Sequence, residues 1–249
     1  MDPDEDDVLH SVYGRKVINI GDVLVRKRGY NLRPCEAETL TFIAEKTTIP
    51  VPKVQDTDWQ DGRLSCIVMD FVPGKPLDKI WGVLTHEQKL SIAKELNGFV
   101  AQLRGLEGGD YIGALNRGKA LMGKRSPIEC GPFDNEREWN RFILEDLVST
   151  APKMMRHLAR FCLSHKHRIV FTHGDLAPRN ILIDEKTLKV AAVLDWEEAG
   201  WYPEHWEYIK AYQHLQPMMD WPDYLAHILP PKYEREYIGM CFLYPLLYH

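Results

Sequence analysis

The chain has 249 residues, 45% hydrophobic and 27% charged, with a formal net charge of −5. That length suits one or two compact units with a core of real size, and the composition is that of a soluble globular protein. A net negative chain is a poor match to nucleic acid or an anionic membrane, and no apolar run approaches membrane-spanning length.

Five cysteines, Cys35, Cys66, Cys130, Cys162 and Cys241, are scattered without metal-ligand spacing, so reduced and mostly buried thiols are expected. The acidic start (Asp2, Asp4, Glu5, Asp6, Asp7) is the reverse of a signal or transit peptide, and a cytoplasmic location is the expectation.

In chain order, residues 1–12 read as a tail running into a first short element. Two β-rich runs, 16–20 and 22–28, are split by the Gly21-Asp22 turn signal. The second run delivers Lys27 near its end, flanked by Arg26 and Arg28; periodicity cannot say which of the three faces inward. Residues 34–46 are helical in pattern, with Pro34 at the start and Ala37, Leu40, Ile43 and Ala44 on one face. Glu36 falls in the first turn. Taken alone, Lys27 is a solvated charge and Glu36 a helix-dipole residue. Prolines at 50 and 52 force the chain out of helix.

Residues 64–71 then read as a buried strand, which Val72-Pro73-Gly74-Lys75-Pro76 breaks. Met69 by itself is a core residue. Thr85 and Gln88 fit a capping box for a long helix carrying Leu90, Ala93, Leu96, Val100 and Leu103. Residues 105–132 are irregular and glycine-rich. Residues 135–148 and 152–164 read as two further helices. His157, His165 and His167 have spacings that match no metal site, so solvated or capping roles are expected for them.

The chemistry concentrates in residues 171–198, FTHGDLAPRNILIDEKTLKVAAVLDWEE. Asp175 sits on a short loop after the apolar run 169–171. Asn180 follows five residues later, just before the apolar run 181–183. After the charged turn Asp184, Glu185, Lys186, a third apolar run, 190–194, ends in Asp195. The pattern is strand, loop, strand, turn, strand. Phosphoryl transfer needs positioning and charge neutralisation more than covalent help. One carboxylate takes the proton of the attacking hydroxyl, while an amide oxygen and a second carboxylate hold Mg²⁺, which prefers oxygen ligands. Asp175, Asn180 and Asp195 are the right types in the right order, and Asp-x-x-x-x-Asn has the spacing of a kinase catalytic loop.

HGDLAPRN followed by LDWEEAG resembles the aminoglycoside phosphotransferase and choline kinase family of protein-kinase-like enzymes. EAETL at 36–40 and TTIPVPKV at 47–54 resemble its fungal members of unassigned substrate. The resemblance implies an α+β, two-lobed kinase-like fold. A small antiparallel sheet with one helix (1–71) would bind nucleotide, 72–76 would be a hinge, and a larger helical lobe (77–249) would carry catalysis and the acceptor. It implies ATP- and Mg²⁺-dependent transfer to a hydroxyl of a small molecule, with Asp175 as base and Asn180 and Asp195 on the metal. Lys27 would hold the phosphates, Glu36 would position Lys27, and Met69, Asp70, Phe71 and Val72 would meet the adenine. No nucleic acid or membrane partner is implied.

Within the loop, the family pattern makes His173 a packing and hydrogen-bonding post. Ala177 stands where a protein kinase has lysine, which favours a small acceptor over a protein. Glu197 and Glu198 read as solvated carboxylates or as ligands of a cationic acceptor or metal. Trp201, Tyr202 and Trp206 read as core or as an acceptor wall. The alternative reading is a pseudokinase or nucleotide-binding regulatory module without turnover, because no G-x-G-x-x-G precedes Lys27.

Overall fold

The computed structural model describes residues 7–12, 14–122, 128–145, 147, 151–213, 218 and 220–247. The first six residues of the expected tail, and residues 146 and 148 of the helix expected over 135–148, lie outside that set. Along the chain come β1 (Val8–Val12), β2 (Arg15–Ile20), β3 (Leu24–Gly29), α1 (Pro34–Lys46), β4 (Val54–Gln60), β5 (Arg63–Asp70) and β6 (Lys75–Pro76). Then follow α2 (Leu77–Ile80), α3 (His86–Arg104), β7 (Ala120–Met122), β8 (Ile128–Cys130), α4 (Glu136–Glu145), α5 (Lys153–Cys162) and β9 (Ile169–Thr172). The remainder is β10 (Ile181–Ile183), β11 (Val190–Val193), β12 (Gly200–Pro203), α6 (Trp206–Gln213), α7 (Trp221–Ile228) and α8 (Glu234–Leu243). None of these helices is long and apolar enough to cross a membrane.

The chain divides into two compact units. One takes the chain up to Gln88 together with Pro178–Glu197; the other takes Lys89–Ala177 and everything from Glu198 onward. The first unit is organised by an antiparallel sheet in the order β1-β2-β3-β5-β4. Gly21 and Asp22, both at positive φ (62° and 55°), make the turn that their sequence signals, and Asn19 Nδ2 bonds Asp22 Oδ1 at 2.6 Å. On α1, Leu40 and Ile43 are buried, as are Leu64 and Ile67 of β5.

β4 is a strand the sequence reading does not anticipate. Its VQDTDWQ is mostly exposed and polar, so it carries no apolar signal. The cue was the Asp61-Gly62 pair joining it to β5, where φ is 49° and 73°, the left-handed geometry of a tight hairpin. A second small sheet, β11-β10-β6, completes this unit. It is tied to the α1–β4 connection by the Val193 amide, which donates to Pro50 O at 2.9 Å. In the β10–β11 turn, Asp184 Oδ1 accepts the amides of Lys186 and Thr187 at 3.0 and 2.7 Å.

α3, which runs from the first unit into the second, starts with the expected reciprocal cap. The Thr85 amide donates to Gln88 Oε1 at 2.8 Å and the Gln88 amide to Thr85 Oγ1 at 3.3 Å. Ile92, Ala93, Leu96, Val100 and Leu103 form its buried stripe. The stretch read as irregular contains the β7–β8 hairpin. β9 does not share a sheet with β10; it pairs antiparallel with β12, in the register Gly200↔Thr172 to Pro203↔Ile169. The core of the second unit is aromatic. Trp139 meets Trp206 edge-on at 5.2 Å, and Tyr202 stacks on Trp206 at 5.8 Å. Trp201, Tyr202 and Trp206 are all buried, so the aromatic run after Asp195 is core. The architecture is α+β, with an antiparallel sheet first and helices dominating later.

Candidate functional site

β3 alternates. Val25 and Lys27 are buried while Arg28 is exposed, so the strand itself settles which cation faces inward. Lys27 Nζ lies 2.7 and 2.8 Å from the two carboxylate oxygens of Glu36 and 3.0 Å from Asp195 Oδ1. Glu36 is only 2% exposed. Pro34 opens α1 with a fixed φ, and Glu36 follows in the first turn, where the helix dipole favours a carboxylate. Asp195 has φ +62°, a conformation that is strained for a residue other than glycine and that clusters at functional sites. The Leu194 amide donates to Asn180 O at 2.8 Å, so the main chain of Asn180 is fixed beside the approach to Asp195.

Glu197 completes this group. Both its carboxylate oxygens accept from Arg15 Nη1, at 2.7 and 2.6 Å, and its carbonyl accepts from Arg33 Nη1 at 2.6 Å. It is therefore not the solvated carboxylate that sequence allowed. Glu36, Asp195 and Glu197 present oxygens within 4.8 Å of one another. Burial alone would strip the Lys27 ammonium of its proton, but Glu36, Asp195 and Glu197 outweigh it and hold the pKa above the ordinary lysine value. Burial pushes the Glu36 carboxyl up to about 7 against the pull of Lys27, and Asp195 adds to the push. The oxygens of Glu36, Asp195 and Glu197 are hard donors that fit a divalent ion such as Mg²⁺.

The expected adenine residues lie at the end of β5. Met69 pairs with Val25 on one side and Val54 on the other. The Asp70 amide donates to Lys53 O at 2.9 Å and the Phe71 amide to Val23 O at 2.8 Å, while Val72 follows the strand.

Asp175 belongs to the second unit, three residues before the chain enters the first at Pro178. Its amide donates to His173 Nδ1 at 3.1 Å, and its carbonyl accepts the Ala177 amide at 2.8 Å. His173 is fully buried and acts as a post for the loop. Gly174 has φ +84°, and a Cβ there would sit 2.7 Å from Glu198 O, so only glycine fits. Beneath the loop lies a residue that sequence reasoning missed. Glu207 accepts the His173 amide at 2.6 Å and the Gly174 amide at 3.3 Å. Its burial drives the carboxyl above its usual range, against His173 and the two amides. The available signal was a single acid inside the apolar run of α6. Glu198, the other expected solvated carboxylate, is paired with buried Lys210 at 2.7 Å.

Lys27, Glu36 and Asp195 thus meet, Asn180 is tied to the chain entering Asp195, and Asp175 is held in a braced loop of the other unit. Solved structures of phosphotransferases share this fold. An aminoglycoside 3'-phosphotransferase of type VIII matches with a TM-score of 0.63 at 22% identity, over 95% of this chain and 91% of that one. The macrolide 2'-phosphotransferase MphH from Brachybacterium faecium matches at 0.60 and 18%, over 96% and 83%. The streptomycin-ATP-APH(2")-IIa ternary complex matches at 0.56 and 14%, over 95% and 89%. The chain belongs to the phosphotransferase enzyme family, whose model matches residues 23–236. In sequence it is 25% identical over 186 residues to an aminoglycoside 3'-phosphotransferase from Streptomyces fradiae, covering 73% of this chain. It spans 64% of the length of that relative.

Proposed function

We propose that this protein transfers the γ-phosphoryl group of ATP, with Mg²⁺, to a hydroxyl of a small molecule. The observation that carries the reading is the buried Lys27–Glu36 pair touching Asp195. Lys27 binds the nucleotide phosphates and Glu36 orients its ammonium. Asn180 and Asp195 offer oxygens to Mg²⁺, which supplies charge neutralisation at the phosphates. Asp175 accepts the proton of the acceptor hydroxyl as its oxygen attacks phosphorus. Met69, Asp70, Phe71 and Val72 line the adenine. On this reading 1–71 is the nucleotide-binding lobe, 72–76 the hinge, and 77–249 the catalytic and acceptor-binding lobe. The relative solved with streptomycin and ATP supports a nucleotide donor and a small acceptor. The cytoplasm, rich in Mg·ATP, is the location that suits this chemistry, with neither nucleic acid nor membrane as partner.

The test is ATP consumption with a panel of hydroxylated small molecules. Asp175→Ala should lower turnover by about 10²- to 10⁴-fold, the usual contribution of a positioned base; equal rates in wild type and variant reject the assignment. A nucleotide-binding module without turnover is the rival, favoured by the β1–β2 turn, whose one glycine is Gly14. Mg·ATP at 100-fold excess over Kd should stabilise the fold by about 2.7 kcal/mol under either reading. Binding without turnover of any acceptor selects the rival.

A further inference from the structure

The second unit holds a cluster that phosphoryl transfer does not use. The β9–β12 register, continued by the Glu204 amide donating to Arg168 O at 2.9 Å, sets His205 opposite His167. Their rings lie 4.4 Å apart. From the start of α4, Glu136 Oε1 reaches both, at 2.7 Å from His167 Nδ1 and 3.7 Å from His205 Nδ1. His205 is 5% exposed, and its Nδ1 has no hydrogen-bond partner. An orphaned buried ring nitrogen aimed at a carboxylate calls for an explanation.

We propose that Glu136, His167 and His205 bind one zinc ion, through Glu136 Oε1 and the two histidine Nδ1 atoms, with water as fourth ligand. Two imidazoles and a carboxylate are an established zinc ligand set. Bond lengths near 2.1 Å in a tetrahedral site imply donor separations of ~3.4 Å. The two separations from Glu136, 2.7 and 3.7 Å, bracket that value, and the donor atoms of all three residues lie within 4.8 Å of one another. His167 turns its other ring nitrogen, Nε2, toward Glu236 Oε1 on α8 at 3.4 Å. That sets a carboxylate beside the ring, where carboxylate–histidine–metal relays have theirs. Uptake of the ion releases the proton shared by Glu136 Oε1 and His167 Nδ1. The ion then ties α4, the entry to β9 and the entry to α6 together. His167, expected to be a solvated or capping side chain, is on this account a ligand.

Metal-free protein titrated with Zn²⁺ against a chromophoric chelator, and with Co²⁺ followed by visible absorption, tests this. Wild type should take up one ion per chain. His205→Phe, which keeps an aromatic ring without the ring nitrogens, should lose it, and Asp195→Ala should keep it. If His205→Phe does not fold, Glu236→Gln should weaken binding by about 10- to 100-fold, the usual effect of an outer-sphere carboxylate. No uptake by wild type, equal uptake by the His205 variant, or loss of the ion in the Asp195 variant overturns the proposal.

Discussion

The two units handle buried carboxylates in opposite ways. In the first, Glu36, Asp195 and Glu197 surround one permanent ammonium, with Arg15 closing the outer side. In the second, Glu136 faces two imidazoles, whose charge adjusts to their surroundings. A fixed cation holds geometry whatever the pH; adjustable rings leave a vacant lone pair. The first arrangement suits a ligand that arrives with its own cation, as a nucleotide does. The second suits a bare ion.

The sharpest way to break the first half of this contrast is Lys27→Met. It strands Glu36 in the interior, and removing one partner of a buried pair costs roughly 3–5 kcal/mol. Urea unfolding at pH 7 measures the loss. Glu36 already sits at about 7 with its lysine present, and without it the carboxyl moves higher still. A carboxyl raised in the folded state favours folding at low pH and loses that advantage as pH rises through its folded pKa. Between pH 4.5 and 7 wild type and variant shed it in step, so the penalty should hold steady there and grow above pH 7, where Glu36 ionises in the wild type first; a penalty unchanged from pH 6 to pH 9 contradicts the stranded charge.

Next in size is Glu207→Gln. Its amide nitrogen cannot accept from either the His173 or the Gly174 amide, so one buried donor is left without a partner, at about 1–3 kcal/mol. Because the loop carries Asp175, kcat should fall more than KM changes if phosphoryl transfer is the activity. The smallest effect compares two arginine–carboxylate pairs of equal length. Arg15–Glu197 and Arg117–Asp134 both close to 2.6 Å, with side-chain exposures of 24% and 17% against 51% and 71%. Double-mutant cycles should give about 1 kcal/mol for the first and below about 0.5 for the second. Equal coupling would mean that the Arg15 contact does not depend on its partly buried setting.

Much of the site was legible because its chemistry is local in sequence. Asp175, Asn180 and Asp195 announce themselves by spacing, and Gly174 by the turn it must make. Helices α1 and α3 were readable from their caps and apolar stripes. What escaped notice depends on pairing across distance. β4 has no apolar alternation, since it is a polar edge strand visible only through its Asp-Gly turn. Glu207 looked like one acid among aromatics until the loop was seen resting on it. Glu197 looked solvated, as Arg15 lies 182 residues before it, and Glu198 because its partner Lys210 sits on the next helix. His167 and His205 become neighbours only when the β9–β12 register is known, and single-sequence periodicity cannot supply a register.

The first unit is also discontinuous, taking in residues 178–197 only after most of the second has been specified. Lys27 gains Glu36 nine residues later but meets Asp195 only 168 residues on. At synthesis rates of 5–20 residues per second, the 159 residues from Glu36 to Asp195 take roughly 8 to 32 s to make, during which that lysine can hold only a single carboxylate. A stop codon anywhere before residue 195 would release a sheet whose inward-facing cation has lost its second counter-ion.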